Sequence, residues 1–269
     1  MTEMNIPNSN LEQVLREIER IKSERQSQNQ LQEQQKLPPT MNREKCEKFS
    51  DYMTNRFLDA CNSAEISGRF QNWQNKPDSE KIKLASDIVK VFLNNISRDI
   101  SRHQVPIYQR DDTEYKGAND EFDKNITDIR AKMPEILVKS MQDAGPDDGM
   151  CVSSSREMYI NMTHPMYKNS PLQFLMDLRH ELTHVIDMFV PSISPLDADV
   201  RDKAILNYVG PHENKDLYKN NPLELNANFK RNDYKQRIDA MLTMQETNRN
   251  RAMNLNMLGM MARGYGRAA

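Results

Sequence analysis

His180, Glu181 and His184 stand in the run RHELTHVID, in an order that suits metal-assisted hydrolysis. Residues four apart share one face of a helix, one turn above the other, so the two imidazoles can converge on a single ion. Zinc fits such a pair, because two neutral nitrogen ligands leave room for a third protein ligand and a water in a tetrahedral site. A zinc-bound water has a lowered pKa, and the ion polarises the scissile carbonyl. Glu181, beside the first histidine, is placed to take the water's proton and pass it to the leaving amine. The chain has five histidines, and chance would produce this spacing in about one such sequence in a hundred or fewer. The bland alternative is a set of satisfied polar residues on a helix. It would pack Arg179, His180, Glu181, Thr183 and His184 beside an apolar stripe without evident reason.

The helix that must carry this motif has its own signals. Ser170, Pro171 and Gln173 supply an N-cap, a favoured first helical residue and a capping-box partner. Leu175, Leu178, Leu182, Ile186 and Phe189 recur at helical spacing, and Pro191 marks the end, which predicts a helix over 171–189. A three-ligand site needs one more group, and Asp187, His212, Glu213 and Glu224 are the downstream candidates. Asp187 lies a turn beyond His184 on the same helix, where it is better placed to orient a neighbour than to ligate. His212 and Glu213 follow Gly210 and Pro211 in an expected loop. Glu224 is favoured, because PLELNANFKR reads as the start of a second helix, with Pro222 early and Leu225 and Phe229 four apart. Ala227 would let that helix come close, and Asn228 would reach the far nitrogen of a ligating histidine.

HELTHVID, followed after about forty residues by LYKNNPLELNANF, resembles the gluzincin peptidases, and most the catalytic domain of the anthrax lethal factor type. The resemblance covers about residues 148–230. It implies a zincin-like metallopeptidase domain holding one Zn2+ on His180, His184 and Glu224, with Glu181 as base and Tyr218 as a stabiliser of the oxyanion. Tyr208 or His212 are the alternatives for that last role. The plan is shared with zinc proteases injected by bacterial secretion systems, which implies a protein substrate in a host cytosol. Such peptidases pair an extended substrate with a sheet edge beside the cleft. EMYINM is a candidate for that strand, and a buried central strand is the other reading.

Around the motif the fold class reads as α+β, mostly helical, with a small sheet. GMCVSSSREMYINM predicts a hairpin, since Met158, Ile160 and Met162 alternate. Residues 126–142 read as a helix broken or kinked at Pro134. Thr40 is expected to cap a helix burying Cys46, Phe49, Met53, Phe57 and Ala60. Pro77 and Asp78 open another, with Leu84, Ile88, Val91, Phe92 and Ile96, and the two are expected to pack together. Residues 10–24 form a short amphipathic helix that gives way to the run SERQSQNQLQEQQ. The acidic run DDTEYKGANDEFDK at 111–124 reads as a solvated loop, without the spacing of a calcium-binding loop. The chain therefore divides into a flexible arm (1–39), a helical N-terminal region (40–110), that acidic linker (111–124), a catalytic region (125–250) and a methionine-rich tail (251–269). The tail is either a helix docked on the core with a frayed end or an adaptable binding surface.

Composition narrows the function classes. Of 269 residues 37% are apolar and 28% charged, which suits a soluble protein, and the net charge of -2 supplies no field for nucleic acid or anionic lipid. Cys46, Cys61 and Cys151 are too few and too scattered for a disulfide framework, and Cys151 with His164 or His103 has no spacing that supports a cysteine nucleophile. The N-terminus carries no secretory signal pattern and no stretch is apolar enough to span a bilayer. The expectation is a cytoplasmic protein, or one secreted without a cleaved signal, whose arm engages a partner or export machinery. Two functions remain: a zinc endopeptidase, and a zincin-like binding or regulatory protein without catalysis. The intact glutamate favours the first.

Overall fold

The computed structural model describes residues 38, 41–102, 104–105, 133–141 and 149–265, with side chains as far as 255. The chain divides into Met1–Thr40 and Met41–Ala269, and every described helix and strand belongs to the second. The arm helix and glutamine-rich run, Thr40, His103 and the acidic stretch 111–124 lie outside the described residues.

Two helices open the unit. In α1, Arg43–Cys61, the cap is Asn42, whose side chain accepts from the Lys45 amide, two residues beyond the expected Thr40. Helix α2, Asp78–Ser101, begins directly after Pro77. They pack on each other through Phe49, Met53 and Phe57 on one side and Leu84, Ile88, Phe92 and Ile96 on the other, all fully buried. Each such side chain contributes roughly 1.5–3 kcal/mol relative to exposure. The link between them is tied down by Trp73, whose indole donates to the Tyr167 carbonyl at 2.7 Å.

The sheet has three strands, β1 Leu137–Ser140, β2 Met150–Val152 and β3 Glu157–Ile160, in the order β1-β3-β2. The β2–β3 hairpin stands where GMCVSSSREMYINM predicts it, antiparallel, with Val152 opposite Met158. One expectation is corrected, and one open alternative is decided. Residues 137–140 are strand rather than helix, paired in parallel with β3, and Val138 alone of the four turns fully into the core. EMYINM is central and not an edge, because β1 covers its second side. Among the described residues both outer strands, β1 and β2, keep one edge without a strand partner. Ser153 donates to the Glu157 carbonyl and Asn161 to that of Gly149, both at 2.8 Å. With that register the backbone groups of Met150 and Val152 point away from β3.

Three helices follow: α3 Pro165–Asn169, α4 Pro171–Phe189 and α5 Ala198–Leu206. The bounds of α4 are the expected ones, and the Ser170 side chain accepts from the Leu172 amide. Gln173 does not close a capping box; its amide is drawn to Asp177 at 2.8 Å. The remaining helices are α6 Lys215–Asn220, α7 Pro222–Asn228 and α8 Arg231–Tyr265. The last docks on the core through Tyr234, Ile238 and Met241, and beyond them Met244, Met253 and Leu255 are exposed. No described helix is long and apolar enough to cross a membrane.

Arg179 knots four helices together. Fully buried on α4, it donates to Thr183 Oγ1 at 3.1 Å, to the Ala227 carbonyl of α7 at 3.2 Å, and to the carbonyl and hydroxyl of Ser50 on α1 at 3.2 and 3.1 Å. Its guanidinium also lies 4.3 Å from the ring centre of Tyr234 on α8. Arg179→Ala therefore removes the donors and strands several buried acceptors. Urea denaturation is expected to show a loss of about 3–5 kcal/mol.

Candidate metal centre

Helix α4 presents both imidazoles inward because its other face is committed to the core through Phe174, Leu175, Leu178, Leu182, Val185 and Ile186. His180, Glu181 and His184 are each 7% exposed, enough to border a cleft without being solvated. The two Nε2 atoms are 3.0 Å apart, with the rings edge to face. Of the third-ligand candidates, the one brought to them is Glu224: Oε2 is 3.3 Å from His180 Nε2, and Oε1 is 3.2 Å from His184 Nε2. His212 and Glu213 are exposed residues of a turn at 211–213.

Local structure explains why Glu224 arrives there. Asn221 caps α7 through the Leu223 amide at 2.9 Å, and its side-chain amide donates to the Ala204 carbonyl at the end of α5. Ala227 is fully buried and its carbonyl meets Arg179, so α7 runs close to α4 as expected. Asp187 does not face the imidazoles as a ligand. It accepts from Ser194 Oγ at 2.6 Å and from the Asn226 amide at 2.9 and 3.1 Å. The helix-to-helix partner is thus Asn226. Asn228, expected to reach a histidine, instead donates to the Glu224 carbonyl of its own helix.

The electrostatics are those of three donors crowded around too few protons. Burial alone would push Glu224 up, but the two imidazoles hold its carboxyl well below the carboxylate range. Burial lowers His180. It acts on His184 too, yet the hydrogen bond to Glu224 and the nearby carboxylates prevail and raise that imidazole to about 9. Burial pushes Glu181 up to about 8, with the Glu224 and Asp177 charges adding to it and His184 opposing. A backbone hydrogen bond from Val152, on the open edge of β2, reaches the Glu181 carboxylate.

These residues suit a zinc ion. A tetrahedral ion with bonds of about 2.0–2.1 Å sets its ligand atoms about 3.3 Å apart. The Nε2–Nε2 distance of 3.0 Å and the distances of 3.3 and 3.2 Å from the imidazoles to Glu224 Oε2 and Oε1 respectively are of that size. Glu224 Oε2 and His180 Nδ1 are buried without a hydrogen-bond partner, the kind of unmet demand that a cation relieves on the carboxylate side.

Two tyrosines border Glu224: the Tyr208 hydroxyl donates to Oε1 at 2.8 Å, and Tyr218 on α6 lies near enough for the Glu224 charge to act on its phenol. Their ring centres are 6.1 Å apart, edge to face. Burial and the Glu224 charge raise both phenols, so both remain donors. The resemblance implies Tyr218, with Tyr208 or His212 as its substitute, whereas the fold brings both tyrosines beside one carboxylate. Asn226 has no signal in the sequence beyond its place in ELNAN.

No family model, curated protein or solved structure matches the chain. The site is therefore read from its own geometry. If Asn226 holds α7 in place through Asp187, Asn226→Ala should weaken zinc binding about tenfold. Asn228→Ala should change it little, and competition against a chromophoric chelator measures both.

Proposed function

We propose that the chain is a zinc-dependent endopeptidase of gluzincin type with a zincin-like catalytic region, acting on a protein substrate. The observation that carries the reading is the convergence of His180, His184 and Glu224 within 3.0–3.3 Å, with Glu181 one residue from the first imidazole. An ion held there would supply an acidified water and a polarised carbonyl.

The chain's own groups account for the rest. Glu181, poised by burial near neutrality, is suited both to take a proton from water and to return it to the leaving amine. Its carboxylate lies 4.0 Å from His180 Nε2, beside the ligand cluster rather than within it. Tyr218 and Tyr208 remain protonated and can donate to a carbonyl oxygen as negative charge grows on it. The outer edge of β2 offers the backbone groups of Met150 and the Val152 carbonyl to an extended chain, while the Val152 amide is directed at Glu181. A binding module would have no use for a carboxylate in that position.

The purified chain should hold one zinc by elemental analysis and lose it in His180→Ala. Absence of zinc would sink the reading. Glu181→Gln should keep the metal and the fold but abolish cleavage. Active and Glu181→Gln protein incubated with a cell lysate should differ in new N-termini, and identical profiles would count against hydrolysis. Glu224→Ala should weaken zinc binding more than Glu213→Ala does; the reverse order would assign the third ligand to the loop.

A further inference from the structure

The edge of β2 would be useful to a peptidase only if its height over Glu181 were fixed, and the residues beneath its start do this in a particular way. Gly149 immediately precedes β2, and its carbonyl accepts the Asn161 amide of the hairpin partner at 2.8 Å. A Cβ on Gly149 would lie 2.7 Å from the Tyr167 hydroxyl, 3.7 Å from Tyr167 Cζ and 4.0 Å from Asp177 Oδ2. The backbone therefore rests directly on that hydroxyl. Tyr167 is fully buried, and its hydroxyl donates to Asp177 Oδ2 at 2.8 Å. Asp177 stands one turn before Glu181 on α4.

Asp177 is itself held from two other directions. Gln173 donates to both of its oxygens at 2.8 and 2.9 Å, and Arg231, at the start of α8, donates to Oδ1 at 2.9 Å. Tyr167 cannot shift along its own chain either, since its carbonyl receives the Trp73 indole and its ring stacks edge-on to Phe174 at 5.6 Å. The hydroxyl under Gly149 is thus a fixed stop, referred back to the helix that carries the histidines.

We propose that Tyr167 and Asp177 are positioning residues that set the register of the β2 edge against Glu181, so that an extended peptide laid on the edge presents a backbone carbonyl to the metal centre. This rests on the peptidase reading. Gly149 is required because only a residue without Cβ lets the strand start seat on the Tyr167 hydroxyl. The network touches neither the metal ligands nor the substrate, so it should act on peptide backbone binding and not on access to the metal.

Two probes separate those effects on the zinc-loaded full chain. Acetohydroxamate engages the metal without a peptide backbone, and a tripeptidyl hydroxamate adds pairing along the edge. Gly149→Ala should weaken the tripeptidyl probe about tenfold while leaving acetohydroxamate within about twofold. In a Tyr167→Phe background the hydroxyl that the new methyl would strike is gone, so adding Gly149→Ala should cost less than about twofold more. Equal weakening of both probes, no weakening of either, or additive losses in the double variant would overturn the proposal. Asp177→Asn, which keeps the shape but drops the charge that orders Tyr167 and Arg231, should reproduce the selective loss on the tripeptidyl probe, and an equal loss on both probes would again overturn it. A wild-type chain that binds acetohydroxamate but gives any of these contrary patterns defeats only this inference; one that binds neither probe defeats the peptidase reading with it.

Discussion

Burying a guanidinium one residue before the first imidazole is the constraint around which the fold closes. Arg179 has no carboxylate among its hydrogen-bond partners; its two terminal nitrogens donate to Thr183, to Ser50 and to the Ala227 carbonyl, its face meets Tyr234, and Nε is buried without a partner. Desolvating a cation costs several kcal/mol, and that cost is offset only when all of these groups arrive together. Burial of Phe49, Phe92, Leu178 and their neighbours supplies the larger free energy, but it is nondirectional and would tolerate small slips of one helix over another. The hydrogen bonds of Arg179 do not. Since His180 follows Arg179 directly and Glu224 precedes Ala227 by three residues, the contact between the arginine and the Ala227 carbonyl also sets the distance between the imidazoles and Glu224.

The part of the site that could be read from the chain is the part encoded locally. Ser170, Pro171 and the apolar spacing from Leu175 to Phe189 lie within one helix, so both its bounds and the shared face of His180 and His184 follow from period and capping. Glu224 was reachable for a similar reason, because Pro222 announces a helix and a third ligand needs a rigid seat. Asn226 was not. Counting one turn from Glu224 leads to Asn228, but α7 has only seven residues and the chain turns extended at Phe229, so Asn228 folds back on its own helix. Which asparagine meets Asp187 depends on how α4 and α7 cross, and no spacing within one segment contains that angle.

The sheet shows the same limit. Alternation in EMYINM says that one face is covered, which is true of a central strand and of an edge alike. What decides is β1, a four-residue strand with a single fully buried side chain, paired in parallel with residues twenty positions away. So weak a local pattern yields to the neighbouring helical one in a reading by period. Once β1 is in place, the unpaired edges are those of β1 and of Met150–Val152.

Three acids lie along α4, and their partners distinguish them. Asp177 accepts from Tyr167, Gln173 and Arg231. Asp187 accepts from Ser194 Oγ and, on both of its oxygens, from Asn226 Nδ2. At Asp187 burial nevertheless prevails and raises the carboxyl to about 6, the hydrogen bonds from Ser194 and Asn226 opposing the rise. Glu181, between them, meets a single backbone donor from Val152 and a histidine edge at 4.0 Å, and burial rather than hydrogen bonding dominates its titration. Several donors tie the flanking acids to Tyr167, α8 and α7, and Glu181, with fewer, is raised further than Asp187 by burial, to about 8.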